Sequence, residues 1–301
     1  MDRYTAALLG LFIAFQSVAI TGTYRYINNT GTTATQPTQS VEPSLLAYLV
    51  GLAAVEITIL LVLWRLYKRL PDRWQRIVRT AFKAVVLGTL LAIGYLLMGW
   101  VFFPLAAIAS GLVKLAQNTG LKYIAFNIVG LLLGLNIAVF VGVTVSPLLI
   151  LGLFPIALLY DHIAVRMSSI MDSLIDLSAG ASLPNYIIIP SALRVDLSEV
   201  RSYLQNREEE KPAGLGMIIG VGDLLIPTML LTSAVVATET IHVAVIMGAI
   251  GTLIGVVFLR HSLVGSDDGL PALVWLNTTT GIGFLSTAVL SGDFWLLMGV
   301  Q

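Results

Sequence analysis

The chain of 301 residues contains no cysteine. Disulfides, thiolate catalysis and cysteine-ligated metals are therefore excluded, and nothing follows about compartment. Charge is also scarce. Asp, Glu, Lys and Arg make up 11% of the residues, against about 25% in a soluble globular domain. The formal net charge is zero, so no nucleic-acid partner is expected. No H-E-x-x-H or G-x-S-x-G sequence occurs, which speaks against a zinc protease and a nucleophile-elbow hydrolase. The three histidines (His162, His242 and His261) lie near expected helix ends. Neither a metal nor a cofactor is called for.

What is plentiful is apolar sequence: 57% hydrophobic residues and a mean hydropathy of +0.89. Apolar runs near the roughly 20 residues of a membrane span recur along the chain. The expected fold is an all-α, multi-pass integral membrane protein in contact with the lipid bilayer. Nine transmembrane helices are expected, at about 4–22, 44–64, 79–98, 101–115, 121–142, 146–166, 214–236, 240–260 and 270–290. The first reads as a retained span because no small-residue cleavage site follows it.

The distribution of basic residues sets the orientation. Region 80–113, with Pro104 near its middle, can be one helix or two. Taken as two, with the N-terminus cytoplasmic and the C-terminus outside, 16 of the 17 Lys and Arg residues face the cytoplasm and only Arg25 faces out. Taken as one, the split is 8 against 9. The chain thus divides into a six-helix part (1–166), a cytoplasmic loop (167–213) whose polar composition suggests mobility, and a three-helix part (214–301). Together they form one functional domain, with no internal repeat. Residues 23–43 are expected to be an outer loop.

Two acids lie inside apolar runs. Asp161 occurs in LLYDHIAV on the sixth expected helix, and Asp223 in IIGVGDLLIPTMLL on the seventh. An ionisable residue at membrane depth costs about 2.5 kcal/mol or more and is by default a functional candidate. Counted from the inner helix ends at about 1.5 Å per residue, Asp161 is about 7 Å in and Asp223 about 13 Å in. Both fall in the cytoplasmic half, on helices adjacent in sequence and so expected to be neighbours. Two carboxyls close together cannot both ionise readily; one can act as base on water and the other as acid. Gly220 and Gly222 remove side chains before the second acid and permit close approach of another backbone. Pro227 leaves the Asp223 carbonyl without its helical partner. Glu56, midway along the second helix, reads as hydrogen-bonded within the bundle.

Three short motifs, "YD" on helix six, "GVGD" on helix seven and "LPAL" (Leu270–Leu273) opening helix nine, occur in that order. In this arrangement the whole chain resembles the presenilin and signal peptide peptidase family, the GxGD intramembrane aspartyl proteases. It looks like a compact archaeal presenilin homologue, with the plasma membrane as its location in a prokaryote. The resemblance implies an endopeptidase that hydrolyses peptide bonds within transmembrane helices of membrane-protein substrates. Asp161 and Asp223 would be the catalytic pair. Tyr160 would line the site, Gly220, Val221 and Gly222 would shape the approach to the second acid, and Pro271, Ala272 and Leu273 would pack near the acids and hold substrate. A homo-oligomer stays open. Two other readings share single features: a prepilin-type GxGD peptidase, which would lack the proline motif, and a proton-coupled transporter, which often shows internal repeats.

Overall fold

The computed structural model describes residues 3–30, 122–166, 186–192, 195–205, 212–263 and 272–294; the side chains of 160–166 are not among those described. The expected helices at 44–64, 79–98 and 101–115, with Glu56, lie outside the described residues. The described elements are α1 (Arg3–Thr30), α2 (Lys122–Thr144), α3 (Pro147–Arg166), β1 (Tyr186–Pro190), α4 (Leu197–Gln205), β2 (Leu215–Gly220), α5 (Val221–Thr238), α6 (Val243–Leu263) and α7 (Ala272–Ser291). Among the described residues, five helices are long and apolar enough to cross a membrane: α1, α2, α5, α6 and α7. The chain is a predominantly helical membrane protein.

Helix α5 is the hub. It packs against α1, α2, α3, α6 and α7, and every residue from Leu230 to Ala237 is buried. Membrane packing has little hydrophobic force between helices, so small residues and hydroxyls do the joining. The Thr232 hydroxyl lies 3.1 Å from the Ala138 carbonyl on α2, and the Ser233 hydroxyl donates to the Val145 carbonyl. Helices α6 and α7 approach closely through Gly251 and Gly255. A β-carbon at Gly255 would come within 2.8 Å of the Trp275 carbonyl, and one at Gly251 would overlap the Thr279 carbonyl. Gln16 on α1 donates to Thr252 (3.0 Å), which shares a hydrogen bond with Thr280 (2.7 Å), tying α1, α6 and α7 together.

The apolar contacts also fix helix directions. Leu224, near the start of α5, packs in one cluster with Leu276, near the start of α7. Leu231 and Val235 farther along α5 share a second cluster with Phe284 and Ala288 of α7, and with Ile150 and Phe154 near the start of α3. Helices α5 and α7 therefore run in the same direction, and α3 runs against both.

Three findings depart from the sequence expectation. The seventh helix begins at Val221; residues 215–220, expected to be its first turn and a half, form β2. Part of the 167–213 loop is also folded. Strands β1 and β2 pair antiparallel, Tyr186 with Gly220 through Ile189 with Met217, with an irregularity between Ile189 and Pro190. One face of this sheet (Ile187, Ile189, Ile219) joins Leu8 and Phe12 of α1. The other face (Tyr186, Ile188) is covered by Val195, Val200 of α4 and Tyr123 of α2. A strand buried on both faces has no polar alternation to show. YIIIP therefore reads as generic apolar sequence, although its β-branched run favours a strand. Helix α1 also extends past its expected end to Thr30, with Ile27 buried, so 23–30 is helix and not loop.

Candidate active site

The switch from strand to helix at Gly220 positions Asp223. Gly220 is the N-cap of α5 in extended geometry (φ −67°, ψ 141°), and Asp223 is the third helical residue. The Gly220 N–H donates to Asp223 Oδ2 at 3.1 Å. This is the backward half of a capping box, in which a side chain at the third helical position satisfies the N-cap N–H. It fixes one carboxylate oxygen of a half-buried acid.

The two glycines have different reasons. A β-carbon at Gly220 would sit 3.1 Å from Asp223 Oδ2, so what comes close there is the chain's own carboxyl rather than another backbone. A β-carbon at Gly222 would meet no described residue within 4 Å, and Gly222 is exposed. Room beside the acid is therefore found at Gly222. Val221 is buried and packs with Leu224, Ile187 and Ile189. Helix α5 continues through Pro227 to Thr238.

Asp161 and Tyr160 lie in the last two turns of helix α3, and their side chains are outside the described residues, as is Pro271. Ala272 opens α7 and Leu273 is buried. The helices that carry these residues meet: α3 packs against α5, and α7 packs against both. The structure thus brings together the helices bearing Asp161, Asp223 and the 271–273 segment.

The sheet beside Asp223 was not foreseen from sequence, and neither was the residue that anchors it. Asn127 on α2 grips Ile188 of β1 at both backbone groups. Its Nδ2 donates to the Ile188 carbonyl at 2.7 Å, and its Oδ1 accepts from the Ile188 N–H at 2.8 Å. An asparagine amide is a peptide-like donor and acceptor on a short stem, and here it stands in for a third strand. Because Ile188 uses both groups on Asn127, its partner Ile218 is a non-hydrogen-bonded pair member. The N–H and C=O of Ile218 consequently point away from β1, to the same edge as the Gly220 N–H that meets Asp223. Among the described residues no group of three or more His, Asp or Glu comes together as a metal site.

The sequence profile described as "Signal-peptide peptidase, presenilin aspartyl protease" matches residues 9–293. No curated protein sequence matches the chain. Two solved structures share the fold, both of a presenilin family intramembrane aspartate protease. The C222 crystal form superposes with a TM-score of 0.53 at 19% identity, covering 93% of this chain and 97% of the other. The P2 form gives 0.54 at 19% identity, over 94% and 97%. With the profile running through α1, both acid-bearing helices and α7, the chain belongs to the signal peptide peptidase and presenilin family of aspartyl proteases.

Proposed function

We propose that this protein is an intramembrane aspartyl endopeptidase that cuts peptide bonds within transmembrane helices, using Asp161 and Asp223 as a dyad. The observation that carries the reading is the setting of Asp223: one oxygen fixed by Gly220, open space at Gly222, and the helix of Asp161 packed alongside. In the dyad one carboxylate takes a proton from water as it attacks the scissile carbonyl, and the other, protonated, delivers a proton to the leaving amine. Neither group can do both at once, so the rate should follow a bell-shaped pH profile whose two limbs belong to the pair.

A peptide bond inside a helix is shielded, so the substrate has to unwind. Its freed N–H and C=O groups then need partners in an apolar surround. The edge of β2 that carries Ile218 ends at Asp223 and can supply them by strand addition, with the 271–273 segment on the neighbouring helix. Substrates with Gly or Pro near the cut should be cleaved faster than poly-Leu helices, because helix breakers lower the cost of unwinding.

The deciding experiment is a cleavage assay in liposomes with a membrane-helix substrate. Wild type should cut, and Asp161→Asn and Asp223→Asn should each lose about a hundredfold to ten-thousandfold. Retention of more than about a tenth of the rate by either variant would refute the dyad. We also assign nine spans with the N-terminus cytoplasmic, on the basic-residue distribution. Cysteines introduced at Gln39 and Ser202 should label from opposite sides of sealed vesicles, Ser202 from the cytoplasmic side; labelling of both from one side refutes the assignment.

A further inference from the structure

The buried and half-buried amides among the described residues differ in one respect. Gln16 is bonded to Thr252, Asn136 to the Leu132 carbonyl, and Asn127 to both backbone groups of Ile188. Asn277 on α7 is fully buried, and among the described residues neither Nδ2 nor Oδ1 has a hydrogen-bond partner. A buried polar group without a partner destabilises the fold, and asparagine is a weaker helix former than the leucines around it. In membrane helices such a residue normally serves as hydrogen-bonding glue between neighbours. Asn277 bonds to none.

Its position is informative. Gly281, one turn along the same face of α7, lies against the Phe154 ring of α3, where a β-carbon would be 3.7 Å away. Asn277 is four residues from Gly281 toward the sheet end, about 6 Å. Asp161 is seven residues from Phe154 in the same direction on the antiparallel α3, about 10 Å. The backbone of Asn277 is thus within about one helical turn of that of Asp161 in depth. Its neighbour Leu276 packs in one cluster with Leu224, the residue after Asp223.

We infer that Asn277 receives a peptide group of the unwound substrate, Nδ2 donating to its carbonyl and Oδ1 accepting from its N–H, as Asn127 does with Ile188. The inference rests on the endopeptidase reading and adds a substrate-positioning residue to it. The pair is made only when substrate parts α3 from α7 at this depth. The amide therefore stands unpaired in the substrate-free enzyme, at the expense of stability.

The test uses full-length enzyme in liposomes and a membrane-helix substrate in which successive backbone amides near the cut are replaced by esters. An ester removes one N–H donor and weakens one carbonyl acceptor. Asn277→Leu and Asn277→Met should leave the substrate-free protein as stable as wild type or more so, yet lower kcat/KM about tenfold, the value of a hydrogen bond or two. One ester position that slows wild type should add no further loss in the variants. Wild-type rates in both variants, ester profiles that run parallel to wild type, or stability that falls along with activity would each overturn the inference; the last marks a structural residue. Asp223→Asn as the inactive control separates this outcome from failure of the endopeptidase reading, in which wild type itself would not cut.

Discussion

At its sheet end, α5 starts on a glycine, hands one N–H to an acid and has an exposed glycine with empty space beside it. At its far end it is ringed by apolar side chains of α3, α6 and α7, and closes on Glu239 in left-handed geometry (φ 54°). The connection to α6 there is secured by His242, whose Nδ1 accepts from the Ala244 N–H and whose Nε2 lies 3.1 Å from Asp293. The first end is specified by a few directional bonds, the second by many interchangeable contacts. A directional bond fixes an atom, whereas apolar burial fixes a helix. The end that has to aim a carboxyl relies on the first kind, and the far end, despite bonds such as those of Ser233 and His242, relies chiefly on the second.

That contrast can be tested by substitution, and the largest effect belongs to Asp223. Asparagine there keeps an oxygen to accept from Gly220, so Asp223→Asn should be inactive and as stable as wild type. Asp223→Ala should be inactive and also less stable, by about 0.5–1.5 kcal/mol for the lost bond. Equal stability of the two in denaturation would mean that the Gly220 contact contributes nothing. Asn127→Leu is next. It leaves the buried N–H and C=O of Ile188 unpaired and should cost about 1–3 kcal/mol. Through the loosened sheet it should slow cleavage by about tenfold, whereas a stable variant with full activity would show that the clip does not reach Asp223. The smallest effect is expected from His242→Ala. The pair with partly exposed Asp293 is of the surface kind, worth up to about 1 kcal/mol, and cleavage should be unchanged. A large loss of activity there would erase the distinction between the two ends.

How much of this was legible beforehand depended on the kind of signal. Helices α2, α3, α6 and α7 fall within about three residues of their expected bounds, because runs of apolar residues with abrupt polar flanks mark spans directly. Asp161 and Asp223 stood out because an acid inside such a run has few bland explanations. The strand ahead of α5 did not stand out. LGMIIG is apolar like the helix it precedes, and the register that makes it a strand comes from YIIIP, some thirty residues earlier in the chain. Asn127 gave no signal, since an asparagine in a membrane helix looks alike whether it is clipped to a strand or bonded along its own helix, as Asn136 is. Asn277 was equally silent; only the lack of a hydrogen-bond partner for its buried amide among the described residues sets it apart.

The outward face of α6 has one more consequence. Val243, Ile246, Met247, Ile250, Ile254, Val257 and Phe258 form an exposed apolar strip bounded by His242 at one end and by Arg260 and His261 at the other. From Val243 to Phe258 the strip rises about 22 Å at 1.5 Å per residue, and any tilt shortens it. The hydrocarbon layer of an ordinary bilayer is about 30 Å thick. A bilayer matched to this strip alone would have to thin, at a fraction of a kcal/mol for each ångström. Such thinning would draw the water boundary inward at both surfaces, including the one nearest Asp223. The depth of the acid would then be a property of protein and lipid together, with the local thickness of the membrane helping to set how far water travels to reach it.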